Sequence, residues 1–169
     1  MKETGVVRRL DELGRIVIPK EIRKRLKIDN NDMVDIFTNE DSIILKKYQP
    51  LSYNIDIIKF FCDSIKGCYG CEVVVCDKVK IIYNTLGLDC LDLDKELLKR
   101  IDSYLEKEIS SLVKLNLTEK YIIDKDCIIY PIVVDGEKYG YLWILDGMIS
   151  KKQKDLGLFI VDFLNQILV

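Results

Sequence analysis

The first fifty residues, closed by Gln49-Pro50, contain neither cysteine nor histidine, and this restricts how such a segment becomes a stable domain. A segment of that size buries too little apolar surface to offset its own chain entropy, so it normally carries a disulfide, a metal or a partner chain. The usual cysteine and histidine staples are excluded by composition. Association with a second chain remains.

The local pattern of this segment reads as four short strands and one short helix. Gly5 to Leu10 is strand-like, Asp11-Glu12-Leu13-Gly14 is a turn, and Arg15 to Ile18 continues as strand. Pro19 suits the first turn of a helix running through Glu21 to Leu26, with Ile22 and Leu26 on one face. Asn30-Asn31-Asp32 breaks the helix, and Met33–Thr38 and Ser42–Lys47 flank a hairpin turn at Asn39-Glu40-Asp41. Residues 1–28 hold nine Lys/Arg against four Asp/Glu, a balance of +5. Residues 51–169 hold fifteen against nineteen, a balance of −4, so the overall charge of −2 hides two halves of opposite sign. A basic segment joined to an acidic domain points to nucleic acid at the basic end, although a solvated basic surface has the same composition.

After Pro50 the order is helix, two strands, helix, three strands, helix. Ser52 is placed to cap a helix carrying Ile55, Ile58, Phe61, Cys62 and Ile65. Glu72–Cys76 and Lys80–Tyr83 read as a strand pair around Asp77-Lys78, and Asp92 to Ile109 as a long amphipathic helix bearing Leu97, Leu98, Ile101, Leu105 and Ile109 on one side. Tyr121–Asp124, Cys127–Val134 and Tyr139–Leu145 are the last strands, the final two joined by Asp135-Gly136, a strong hairpin signal. Ser150 is placed to cap a closing helix with Leu156, Phe159, Ile160, Phe163, Leu164 and Ile167 on its apolar face. The expected class is α+β, an antiparallel sheet with helices packed on it.

Several function classes are set aside on composition. With no histidine in the chain, Ser-His-Asp catalysis and His-containing zinc sites are absent, and no nucleophile–base pair or phosphate-cradling glycine loop stands out. No enzyme activity, cofactor or metal is expected. Cys68-Tyr69-Gly70-Cys71, with Cys62 and Cys76 nearby, is a single thiolate knuckle, and buried inert thiols are the ordinary reading of such residues. Tyr139, Tyr141 and Trp143 alternate along one strand, as an aromatic ligand box or, better, as a sheet face beneath a helix. Asp89, Asp92 and Asp94 read as the loop and first turn of the long helix, with magnesium binding a remote option. The amino terminus has no apolar core of a signal peptide and no run is long enough to span a bilayer, so a cytoplasmic location is expected.

The stretch from Thr4 to Leu26, with Asp11-Glu-Leu-Gly-Arg-Ile-Val-Ile-Pro19 at its centre, closely resembles the AbrB-type swapped-hairpin DNA-binding domain, as does Ile43-Ile-Leu-Lys-Lys-Tyr48. The remainder resembles, by length and element order, the GAF-like domain of the family's sporulation regulators. The resemblance implies residues 1–50 as a swapped-hairpin β-barrel homodimer and residues 51–169 as a GAF-like sensor or oligomerisation domain. It further implies a homotetramer bundled by the flanking helices, a small-molecule effector, and A·T-rich double-stranded promoter DNA as the partner. The family's DNA-contacting arginines fall on Arg8, Arg15 and Arg23, and the next family position, commonly Arg, is Lys24. Arg9 and Arg25 join the set on charge and position alone. The implied function is a transcription regulator of sporulation genes, activating some and repressing others. An antitoxin using the same fold is the alternative.

Overall fold

The computed structural model describes residues 5–30, 32–89, 91–102, 109–110, 115–118 and 120–168. Thr4, Asn31 and Leu105, all singled out in the sequence, lie outside these. The chain divides into two compact units, Met1–Tyr48 and Gln49–Val169.

In the first unit, α1 (Lys20–Arg25) precedes a hairpin of β1 (Val34–Asn39) and β2 (Ser42–Lys47), paired in register from Val34↔Lys47 to Asn39↔Ser42. Pro19 takes the position before the first helical turn, where its carbonyl accepts the Arg23 N–H at 3.0 Å. Lys27 adopts a left-handed φ of 54°, a conformation that usually selects glycine after a helix, and the Ile28 N–H returns to the Arg23 carbonyl at 2.9 Å. Lys47 Nζ ties the hairpin to this exit, donating to the Lys27 carbonyl at 2.9 Å and pairing with Asp32 at 2.7 Å. The expected strands at Gly5–Leu10 and Arg15–Ile18 form no ladder in the single chain. A strand needs a partner for its N–H and C=O groups, and β1 and β2 already pair with each other. Of the apolar side chains described in this unit, Ile28 is buried, whereas Val7, Val17, Ile36 and Ile43 are 88, 76, 70 and 72% exposed.

The second unit is built on a five-stranded antiparallel sheet. Its strands are β3 (Glu72–Asp77), β4 (Ile81–Asn84), β5 (Ile109–Ser110), β8 (Asp126–Val134) and β9 (Glu137–Asp146), in the order β4-β3-β9-β8-β5. A separate ribbon pairs β6 (Leu115–Thr118) with β7 (Tyr121–Ile123). Asp135 and Gly136 both have positive φ, 51° and 79°, as the tight β8–β9 turn requires. The helices are α2 (Pro50–Tyr53), α3 (Ile55–Tyr69), α4 (Lys95–Asp102) and α5 (Lys151–Ile167).

Both faces of the sheet are covered, so its strands read as nearly continuous apolar runs. One core joins Val73, Val75, Tyr130, Leu142 and Ile144 to Ile58, Cys62 and Ile65 of α3 and Ile160 and Leu164 of α5. The other joins Val74, Cys76, Ile129, Tyr141 and Trp143 to Leu97 and Ile101 of α4 and to Leu117 and Ile123 of the ribbon. Trp143, fully buried, donates its indole N–H to Cys76 Sγ at 3.2 Å, and the Cys76 thiol lies 3.7 Å from the Tyr141 carbonyl as its donor. Ser150 caps α5 in a reciprocal capping box with Gln153. Asp94 caps α4, its Oδ1 accepting from the Glu96 and Leu97 N–H groups at 3.0 Å each.

Four sequence expectations are corrected. Ser52 sits inside α2, and Asn54 occupies the cap position of α3. The helix expected over 92–109 is described as helix over Lys95–Asp102, and Ile109 belongs to a strand opposite Ile129. Two strands were not anticipated, β5 at the edge of the sheet and β6 in the separate ribbon. Tyr139 does not share the face of Tyr141 and Trp143. The register slips between Ile132↔Gly140 and Val133↔Lys138, leaving Tyr139 as the extra residue of a bulge that turns it onto the opposite core.

Close packing also fixes two glycines. A Cβ on Gly140 would meet the Cys76 carbonyl oxygen and Leu51 Cδ1, and one on Gly157 would run into the Tyr130 ring, whose hydroxyl donates to the Lys154 carbonyl at 3.1 Å. Gly157→Val should therefore destabilise the protein by about 1–3 kcal/mol through overpacking, read as a lowered urea midpoint. A midpoint matching the wild type would mean that α5 stands farther from β8 in solution.

Candidate nucleic-acid interface

The first basic element is organised by one carboxylate. The Asp11 N–H donates to the Arg15 carbonyl at 3.1 Å and the Gly14 N–H to the Asp11 carbonyl at 2.9 Å, closing a tight turn. Gly14 sits at φ 72°, where a side chain would be strained. Asp11 Oδ1 accepts from the Leu13 N–H at 3.0 Å and the Arg15 N–H at 2.8 Å, while Oδ2 receives Arg15 Nε–H at 2.7 Å. These contacts hold the Asp11 carboxyl below its ordinary value of 3.8, chiefly through the Arg15 backbone N–H and then its guanidinium. Among the described residues, the outer nitrogens of Arg15, Nη1 and Nη2, carry no partner.

The second basic element is α1, whose last turn carries Arg23, Lys24 and Arg25 in succession, a placement favourable to the helix dipole. Lys24 and Arg25 are exposed, as are Arg8 and Arg9 ahead of the turn, and none of the four makes an ion pair among the described residues. Arg23 does not point fully outward. It is half-buried, its Nη1 donates to Asn30 Oδ1 at 2.8 Å, and its Nε is buried without a hydrogen-bond partner. Lys20, Arg23 and Lys24 line a shallow groove with Ile28, Asp29 and Asn30.

Sequence reasoning missed Asp11 and Asn30, the two side chains that hold arginines of the set. The signal for Asp11 was present in Asp-x-x-Gly-Arg, because an aspartate at the head of a glycine turn commonly accepts from backbone N–H groups two to four residues on. Asn30 had no comparable signal.

Among the described residues the cysteines form no such arrangement. Burial pushes the Cys62 and Cys76 thiols up to about 12 and raises those of Cys71 and Cys127 as well, while Cys68 is exposed. Thiols so shifted stay protonated and make poor nucleophiles or metal ligands. Among the described residues no three acidic or cysteine side chains converge as a ligand set, and no helix is long and apolar enough to cross a membrane.

Residues 7–52 match the family model described as antidote-toxin recognition MazE, bacterial antitoxin. Over 50 residues the chain is 54% identical to the transition state regulatory protein AbrB of Bacillus subtilis (strain 168), covering 30% of this chain and 52% of that protein. Over 151 residues it is 36% identical to stage V sporulation protein T of the same organism, covering 83% of this chain and 82% of the relative. A methyl-accepting chemotaxis protein fragment, residues 122 to 287, shares the fold of the larger part at 14% identity. Its TM-score is 0.51, over 69% of this chain and 92% of the fragment. The class is therefore that of transcription regulators with an AbrB-type amino-terminal domain. Within it, the chain belongs to the family of stage V sporulation protein T.

The depressed carboxyl of Asp11 gives a direct check on the turn. Its stabilisation is complete above the ordinary carboxylate range and is lost as pH falls through the lowered folded value. A carbon-detected NMR titration of the Asp11 carboxyl should have its midpoint below 3.8. A midpoint at or above that value would show that the contacts with Arg15 are not populated.

Proposed function

We propose that this chain regulates sporulation genes by binding A·T-rich promoter DNA through residues 1–50 as a swapped-hairpin homodimer, activating some genes and repressing others. The observation that carries this reading is the pairing of a basic set, outward-facing except for the half-buried Arg23, with an apolar surface that a single chain leaves in water. Arg8, Arg9, Arg15, Arg23, Lys24 and Arg25 are the proposed DNA contacts. Duplicated about a two-fold axis, they give twelve cations on one surface. The arginines can fork onto phosphate oxygens or a guanine edge, while Lys24 acts as a point charge. Arg23 has less freedom than the others because Asn30 holds one end of it. Loose preference for A·T-rich DNA fits readout of shape and deformability more than base-by-base contact.

The dimer follows from burial. Val7, Val17, Ile36 and Ile43, exposed in one chain, form a core only when the unpaired 5–18 segment finds strands of a second copy. Residues 51–169 are the proposed GAF-like domain, which senses a small molecule, fixes a tetramer, or does both. The tetramer is supported by Ile57 and Phe60 on α3 and Leu158 and Phe159 on α5, all exposed. A soluble, cytoplasmic and nucleoid-associated protein is the corresponding location.

An antitoxin is the second reading, favoured by the description of the model that matches residues 7–52. Antitoxins of that type carry a short disordered toxin-binding tail after this domain, whereas here a folded unit follows.

Fluorescence anisotropy with A·T-rich fragments at about 50 and about 200 mM salt tests the reading. If six to ten phosphates are neutralised, affinity falls by roughly 10³–10⁵ across that range, and Arg15→Ala weakens binding without changing oligomer mass. Absence of binding by the folded wild type would move the antitoxin reading to first place. Sedimentation separates the two interfaces. Ile43→Asp should abolish the dimer and DNA binding together, and Phe60→Asp should reduce a tetramer to dimers that still bind DNA.

A further inference from the structure

An exposed ion pair contributes little to stability, because both partners are well solvated and long side chains lose entropy on pairing. Arg15 and Asp11 are such a pair, with side chains 72 and 41% exposed. Asp11 also places a negative charge beside the cation that the proposed DNA contact needs, which opposes approach to phosphate. A carboxylate there weakens binding unless it does something else. Its geometry supplies the other role. Oδ1 holds the backbone of the turn through the Leu13 and Arg15 N–H groups, and Oδ2 holds Arg15 by Nε alone.

Held at Nε, the guanidinium is biased toward one orientation, and its outer edge, Nη1 and Nη2, is the edge left for a ligand. That edge is the fork that meets two acceptors at once, whether two phosphate oxygens or O6 and N7 of guanine. An unrestrained arginine would instead order its rotamers on binding.

We propose that Asp11 is a positioning residue for DNA recognition, holding Arg15 by Nε so that its outer edge is aimed before DNA arrives. This rests on the reading of Arg15 as a DNA contact. It sets the sign of an otherwise ambiguous substitution: Asp11→Asn removes a negative charge from the DNA-binding surface and yet weakens binding. Asparagine keeps an oxygen for the Leu13 and Arg15 N–H groups, so the turn survives while the charged grip on Nε is lost.

The test is a double-mutant cycle on the full chain, by anisotropy at fixed salt, with Asp11→Asn, Arg15→Ala and the pair. Gly14 and Leu13 amide shifts and the oligomer mass report whether each variant keeps its turn and assembly. The expected result is a loss of about threefold to tenfold per chain for Asp11→Asn, and no further loss when it is added to Arg15→Ala. Arg15→Lys should bind nearly as weakly as Arg15→Ala, since an ammonium cannot serve Asp11 and a two-acceptor edge together. A promoter fragment and a scrambled duplex distinguish the ligand: equal losses on both mean phosphate, a loss on the promoter alone means a base edge. Tighter or unchanged binding by Asp11→Asn overturns the proposal, and so does an equal loss with Arg15 already removed. If Arg15→Ala alone leaves DNA binding intact, the reading of Arg15 itself has failed, and that result is distinct from the others.

Discussion

The rest of the amino-terminal unit depends on apolar residues that one chain cannot cover. Its strand-forming residues are ordinary, its helix is properly started and stopped, and its hairpin is in register. Yet Val7, Val17, Ile36 and Ile43 remain in water, and burial of such side chains is the dominant favourable term in folding. In the proposed dimer, folding and association would be one event, with stability tied to protomer concentration. The same pairing would duplicate every cation of the basic turn and helix.

Charge is distributed as unevenly as burial. The basic residues gather at the turn around Asp11 and at the last turn of α1, and the acidic excess lies in residues 51–169. A bulk charge of −2 conceals this, because attraction to phosphate is local and screened within about 8–10 Å at ordinary ionic strength. What matters for a DNA contact is how each cation is held. Arg15 is gripped at one edge by a carboxylate, and Arg23 is drawn toward Asn30 with its Nε buried.

Much of this was legible in the chain itself. Asp135-Gly136 announced the β8–β9 turn, Ser150 announced the start of α5, and Asn39-Glu40-Asp41 between two strand-like runs announced the first hairpin. Those features rest on local chemistry: positive φ, a capping hydroxyl, a polar turn between strand-forming runs. The illegible parts depend on distant partners. An apolar stripe over 92–109 fits a helix, but Ile109 pairs with Ile129, a contact across twenty residues. Tyr139 follows the alternation of its strand until a bulge turns it away. In the candidate interface, the basic residues were visible as charges, whereas the carboxylate that orders one of them was visible only as part of a turn.

The central strands β8 and β9 are walls shared by two rooms. Alternate residues face α3 and α5 on one side and α4 with the β6–β7 ribbon on the other, and no solvated face lies between. Close-packed interiors transmit displacement because they have little free volume to absorb it. A shift of Trp143 on one side is therefore felt by Leu142 and Ile144 on the other, within a single peptide unit. The sheet in this way acts as a diaphragm: whatever rearranges the packing around α4 presses directly on the seats of α3 and α5.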